Sequence, residues 1–340
     1  MISLNEIKDI LSNDDPAFLE MLAQNARSLT EQYFGRTVTL YAPIYISNYC
    51  SSHCTYCGFH NHHKIKRFKL SLDQIKQEMQ FIASKKIRNI LILTGESYEA
   101  APVSYIKEAV LIAQKYFSGI SLEIHPLNEA EYLELFLAGA DGLTIYQETF
   151  DRIRYQQVHL AGRKKDYDFR FHAPERAAQA GFRQISIGAL LGLSELAPDL
   201  LALYEYLQHM EKNFPGVEYS VSFPRLRPIK GENFSVCDIN DLTFVKIICL
   251  TRTLFPRVGI NLSTRETAFL RDHLVGTGIT RISAGSNTAV GGYTVCTEEE
   301  ASPQFDVNDD RSVDEIINML KSKNFDPVFT DWRSIKNESI

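Results

Sequence analysis

The chain alternates between two hydrophobic rhythms. Short runs rich in β-branched residues occur at 38–46 (VTLYAPIYI), 88–94 (RNILILT), 120–125 (ISLEIH), 142–147 (GLTIYQ), 184–190 (QISIGAL), 217–223 (VEYSVSF), 257–263 (RVGINLS) and 279–284 (ITRISA). Such short, strongly apolar runs suit the buried strands of a parallel sheet. Between them, apolar residues recur at helical spacing near 71–86, 102–117, 128–138, 173–180, 196–213, 238–254 and 265–275. Ser71 is placed to cap the first of these helices. Eight strand–helix alternations predict an α/β protein, a (β/α)8 TIM-type barrel over 36–285. Residues 1–35, with FLEMLAQNARSLTEQYF, predict an N-terminal helical extension. Residues 286–340 predict a mixed tail packed on the barrel.

Composition narrows the picture without changing it. At 340 residues and 44% hydrophobic, the chain can fill one barrel. A net charge of −6 argues against sequence-independent nucleic-acid binding. No apolar run approaches the ~20 residues of a membrane span. The N-terminus lacks a signal peptide's basic-then-apolar order, so a cytoplasmic location is expected. Of six cysteines, Cys249 in FVKIICL reads as core, and the isolated Cys237 and Cys296 read as inert thiols.

The other three lie together in NYCSSHCTYCGF, as Cys50, Cys54 and Cys57. They follow the first strand directly, at the end where barrels gather their active sites. A closed tetrathiolate centre needs four ligands. Three thiolates can hold three irons of a [4Fe–4S] cluster and leave the fourth open. Zinc completed by His53, His60, His62 or His63 is the alternative. The C-x3-C-x2-C spacing, with aromatic Phe59 after Gly58, resembles the signature of radical S-adenosylmethionine (SAM) enzymes. The resemblance implies that SAM chelates the open iron and is split to a 5′-deoxyadenosyl radical, which abstracts hydrogen from a substrate. A SAM amine needs acceptors, which Thr94 and Glu96 offer, and Gly95 would admit close backbone approach. Arg170 in DYDFRF is the chosen cation for the SAM carboxylate. Glu148 would orient the ribose or that arginine. Phe59, Ala189 and Leu190 suit the adenine.

Further segments match one group within that superfamily in order. They are FGRTVTLYAPIYISNYCSSHCTYCGF, IKR at 65–67, LILTGE, IYQETF, ISIGALLGL, YSVSFPRLRP, NLSTRE, GGY at 291–293, DDRS at 309–312 and PVFTDW. Over roughly residues 17 to 333 the chain is similar to the radical SAM aromatic amino acid lyases, and most of all to their tyrosine-cleaving, thiamine-related branch. The resemblance implies cleavage of the Cα–Cβ bond of L-tyrosine, yielding 2-iminoacetate (dehydroglycine) and p-cresol. It implies that Arg265 in STRE, assisted by Ser283, binds the substrate carboxylate, and that Tyr45 reaches the same region. Tyr45 reads equally well as a barrel-core tyrosine. Flavodoxin or ferredoxin as electron donor and thiazole synthase as partner are implied in the same way. Arg225 and Arg227 would line the barrel top, bind anions or brace loops, and Glu266 would favour the dipole of the helix after it. A tryptophan lyase of the same family and a non-catalytic metal scaffold are the competing readings. Hydrogenase-maturing tyrosine lyases carry a second C-terminal cluster, for which Cys296 alone in the tail is insufficient.

Overall fold

The computed structural model describes residues 2–226, 238–296, 303–305 and 307–330. Eight parallel strands form where the hydrophobic runs place them: β1 (Thr37–Ser47), β2 (Asn89–Thr94), β3 (Gly119–Glu123), β4 (Gly142–Thr144), β5 (Gln184–Gly188), β6 (Glu218–Ser222), β7 (Gly259–Leu262) and β8 (Arg281–Ser283). Each pairs with the next, and β8 returns to β1 from Thr39↔Arg281 to Tyr41↔Ser283, closing the barrel. A further strand, β9 (Asp326–Val328), pairs with β1 at Thr37–Thr39, just before the stretch where β2 takes over at Ala42. The C-terminal tail is thus stitched into the barrel's own sheet.

Two helices precede the barrel, α1 (Leu4–Ser12) and α2 (Pro16–Phe34). Ser3 and Glu6 form a capping box on α1; Asp15 caps α2, and Pro16 opens it. The outer layer holds α3 (Leu72–Ser84), α4 (Val103–Ala113), α5 (Glu129–Leu137), α6 (Arg152–Val158), α7 (Tyr167–Phe171), α8 (Ala173–Gln179), α9 (Leu196–Asn213), α10 (Asp241–Leu254), α11 (Ala268–Leu274) and α12 (Val313–Ser322). Ser71 caps α3, as its position predicts, and donates the second half of a capping box with Gln74. Cys249 lies in the core with Leu22 and Ala26, where α2 packs on α10. Cys237 and Arg227 lie outside the described residues, as do the last two residues of PVFTDW.

The strands bury an apolar face against the helices, and their inner face mixes apolar residues such as Leu91 and Leu93 with small polar ones. Ile44, Ile92, Leu122, Ile185, Val221 and Ile260 belong to the buried core. Usual barrel interiors are filled by branched apolar side chains. Here Ser121, Thr144, Ser186, Ser220 and Asn261 line a small polar space at the barrel floor. Asn261 donates to Ser186 and Ser220 at 2.9 and 3.1 Å, so the floor is a hydrogen-bonded plate beneath the active-site end.

Candidate active site

The cysteine loop is held by backbone bonds. Asn48 accepts from the Phe68 N–H and donates to the Lys66 carbonyl. The Arg67 guanidinium donates to the carbonyls of Asn48, Phe59, His60 and His63, pinning both ends of the loop with one side chain. Cys54 sits in a two-stranded ribbon, His53–Cys54 against His159–Ala161. The loop's other anchor is the segment after β2. Ser51 donates twice to the Glu96 carbonyl, and the Ser52 hydroxyl reaches a Glu96 carboxylate oxygen at 3.1 Å. Gly95 is required there: a Cβ would lie 2.3 Å from the Tyr49 carbonyl oxygen. Cys54 is buried, while Cys50 and Cys57 are partly exposed. The Phe59 N–H points at the Cys57 sulfur, 3.5 Å away. Burial pushes the bare Cys50 thiol up to about 11, so thiolates here call for positive charge, which a metal supplies. Among the described residues, no three His, Cys, Asp or Glu side chains gather closely around one point, and this holds for Cys50, Cys54 and Cys57 as for the histidines beside them.

A cavity of about 600 Å³ opens beside this loop at the C-terminal ends of the strands. Tyr45, Cys57, Glu148, Leu190, Arg265 and Ser283 are on its wall. Tail residues roof it. The Tyr45 hydroxyl donates to Gln304 at 2.8 Å, and the Arg265 guanidinium stacks 3.7 Å over the Phe305 ring. Tyr45 belongs to the buried core and also lines the cavity. Arg265 makes no ion pair among the described residues; burial lowers its pKa, but a guanidinium stays charged. The Ser283 hydroxyl is buried without a hydrogen-bond partner among them.

The other candidates sit behind the wall. Phe59 packs edge-on against Tyr45, with ring centroids 6.0 Å apart. Ala189 is buried, bridged to Glu148. Thr94 carries a buried, unpartnered hydroxyl at the end of β2. Glu96 and Arg170 are buried together. Arg170 donates to the Tyr146 carbonyl at 2.8 Å, to Glu96 at 3.3 Å, and lies 3.7 Å from Glu148. Its charge is thus shared between two carboxylates. Glu148 also takes Lys164 at 2.7 Å, and its backbone adopts a φ of +72°, with its carbonyl accepting from the Leu190 N–H. A non-glycine residue held there is a strained placement. Although burial opposes its charge, Lys164 is kept protonated by Glu148, Cys54 and Glu96.

Lys164 and Glu123 line the cavity as well, and the sequence reading passed over both. Glu123 had a signal: in ISLEIH it shares the inward period with Ser121. Lys164, in an unpatterned RKK turn, had none. Arg225 braces loops. It pairs with Asp241 at 2.7 Å and with Glu266, and donates to the Ile239 carbonyl. Glu266 serves that pair, and α11 begins only at Ala268.

A closed parallel barrel that presents a three-cysteine loop beside a cavity at its C-terminal end has the architecture of a radical SAM enzyme. The family model described as Radical SAM superfamily matches residues 44–207, and the Biotin and Thiamin Synthesis associated domain matches 222–326. The chain is 38% identical to a 2-iminoacetate synthase of Salmonella typhimurium, over 98% of this chain and 88% of that one. It is 37% identical to its counterpart in Escherichia coli, with the same coverage. The crystal structure of the FeFe-hydrogenase maturase HydG from Carboxydothermus hydrogenoformans superposes with a TM-score of 0.89 at 34% identity, covering 96% of this chain and 76% of that one. The chain belongs to the 2-iminoacetate synthase family of radical SAM enzymes. No helix among the described residues is long and apolar enough to cross a membrane.

Proposed function

We propose that the protein cleaves the Cα–Cβ bond of L-tyrosine to 2-iminoacetate and p-cresol, consuming SAM to 5′-deoxyadenosine and methionine, in thiamine thiazole formation. The observation that carries this reading is a cavity walled by Cys57 of the cysteine loop and by Arg265, which makes no ion pair among the described residues. Cys50, Cys54 and Cys57 form an all-sulfur donor set of the kind that holds iron–sulfur clusters. When bound, a [4Fe–4S] cluster and SAM supply one electron and a hydrogen-abstracting nucleoside radical. The unpartnered Thr94 hydroxyl and Glu96 suit the SAM amine, with Gly95 letting the backbone approach. Arg170 holds Glu96 and Glu148 in place, and Lys164 on the cavity wall adds a cation for the methionine carboxylate. Ala189, Leu190 and Phe59 suit the adenine side. Arg265 and the Ser283 hydroxyl suit the substrate carboxylate, with Tyr45 against the reacting end. Fixing the amino acid head in this way lowers the barrier by restricting orientation, and the roof of Gln304 and Phe305 keeps water out. Flavodoxin or ferredoxin would supply the electron, and a thiazole synthase would take the unstable imine.

Anaerobic reconstitution followed by product analysis with tyrosine and tryptophan side by side tests the proposal. p-Cresol and 5′-deoxyadenosine from tyrosine are expected. Cleavage of the indole substrate alone would overturn the tyrosine assignment. Stoichiometric zinc with neither nucleoside nor cresol would make the protein a scaffold.

A further inference from the structure

Three carboxylates approach the active site, and they differ in how their charge is met. Glu96 is tied to Arg170, and Glu148 to Lys164 and Arg170. Glu123, at the end of β3, makes no hydrogen bond and no ion pair among the described residues, yet it lines the same cavity as Arg265. It stands in register with Leu93, which is itself in register with Tyr45, so it belongs to the layer of the barrel mouth. In a closed eight-stranded barrel, the end of β3 faces the segment after β7, where Arg265 lies. Among the described residues, the cavity thus presents one carboxyl and one guanidinium that each lack an ion-pair partner.

Glu123 is part-buried and faces the cavity, and a carboxyl held there without an ion-pair partner among the described residues leaves a place for a cationic ligand to complete it. An α-amino acid carries the matching pair of charges two bonds apart. We propose that Glu123 receives the substrate ammonium opposite Arg265 and takes one proton from it, leaving the amine neutral for hydrogen abstraction. The step is a plain proton transfer: one N–H bond of the ammonium breaks, one O–H bond forms on the carboxylate, and no electron moves. It rests on the tyrosine-lyase reading above. The charged and titratable groups that act on Glu123 are Glu148, Arg265, Lys164 and Arg170, with Tyr41 and Tyr45 on β1 and Tyr146 just after β4. Burial is the largest influence and Glu148 adds to it, together raising the Glu123 pKa to about 7 against the pull of Arg265, Lys164 and Arg170. A carboxylate raised toward neutrality lies closer to an α-ammonium in basicity than an ordinary carboxylate does, so the uphill part of the transfer is smaller.

The test is calorimetric binding of tyrosine to the SAM-loaded enzyme without reductant, in buffers of different ionisation enthalpy. Near pH 6, free Glu123 is protonated, and a complex in which amine and carboxylate share one proton must release the other. About 0.9 proton per tyrosine is expected at pH 6, about half a proton at pH 7 and about 0.1 at pH 8, following the free carboxyl's titration near 7. Glu123→Gln should abolish the release. In turnover, it should lower kcat about 100-fold, more than it raises KM, and remove the acid limb of the rate profile; Glu123→Asp should restore part of both. Unchanged release and an unchanged acid limb in Glu123→Gln would overturn the proposal. So would a loss of tyrosine affinity that phenylalanine binding does not share, since that would place Glu123 at the phenol. Failure of the wild type to form p-cresol would instead sink the tyrosine reading, while proton release with whichever amino acid binds would still decide the role of Glu123.

Discussion

Removing Asp309 should unfasten the tail that roofs the active site. Asp309 is fully buried, and the Arg271 side chain of α11 is 1% exposed. Arg271 donates to Asp309 and to the backbone carbonyl of Ser283, the residue that ends β8. Arg311 donates to both Asp309 oxygens, at 2.8 and 2.7 Å, and continues to Asp272 at 2.8 Å. One carboxylate therefore joins the tail to the strand end that carries a proposed substrate ligand. In Asp309→Ala, Arg271 keeps a single carbonyl in a buried place. Breaking a buried pair in this way costs about 3–5 kcal/mol. Arg311 retains Asp272, which puts the expectation near ~3 kcal/mol, or a melting temperature lower by about 6 °C at roughly 2 °C per kcal/mol. The pH dependence gives a second reading. Burial works to raise the Asp309 pKa, but the Arg311 hydrogen bonds and the charges of Arg271 and Arg311 outweigh it and hold it below the usual value. A depressed carboxylate stabilises fully above its unfolded pKa of about 3.9, and the benefit fades as pH falls through the lower folded value. Calorimetry on anaerobic protein from pH 3 to 7 should show the variant's deficit shrinking toward acid. A variant that melts within a degree of wild type, with the same acid limb, would refute the coupling of tail to barrel.

Other perturbations act nearer the chemistry. Gly95→Ala puts a methyl 2.3 Å from the Tyr49 carbonyl oxygen and 2.9 Å from its carbon, both backbone atoms. The cysteine loop must move, so iron per chain should fall with about 1–3 kcal/mol of stability; full iron loading at wild-type stability would count against the close approach. Cys54→Ala leaves two thiolates and should lose both iron and 5′-deoxyadenosine formation, and wild-type iron content would argue against the ligand assignment. Arg265→Ala should lower kcat/KM for tyrosine ~10–100-fold, the worth of a hydrogen bond to a charged partner. SAM affinity should stay within about threefold, and an equal loss of it would move Arg265 to the cofactor.

Spacing along the chain was readable because the chemistry it serves is local. C-x3-C-x2-C needs no partner from elsewhere to be recognised, and eight hydrophobic runs place eight strands. What the periodicity concealed was the inner face. Ser121, Thr144, Ser186 and Ser220 are small polar residues among β-branched neighbours, so each run read as apolar throughout. Only closure of the sheet, through the pairing of β1 with β8, turns these residues into a common interior. The region between β4 and β5 was harder still. Three short helices and a ribbon strand occupy it, and the strand His159–Ala161 finds its partner a hundred residues earlier, at His53–Cys54. Hence Lys164, carried just beyond that strand, had no sequence signal. Arg170 and Arg265 make the physical limit plain. Both are arginines in motifs, and sequence placed both near the site. Whether a charge is already met depends on non-local neighbours: Arg170 lies between Glu96 and Glu148, while among the described residues the Arg265 guanidinium makes no ion pair and stacks on the Phe305 ring. A bound zwitterion is selected by charges left unmet, and for that reason the pairing of Arg265 with Glu123 emerges from the fold and from no motif.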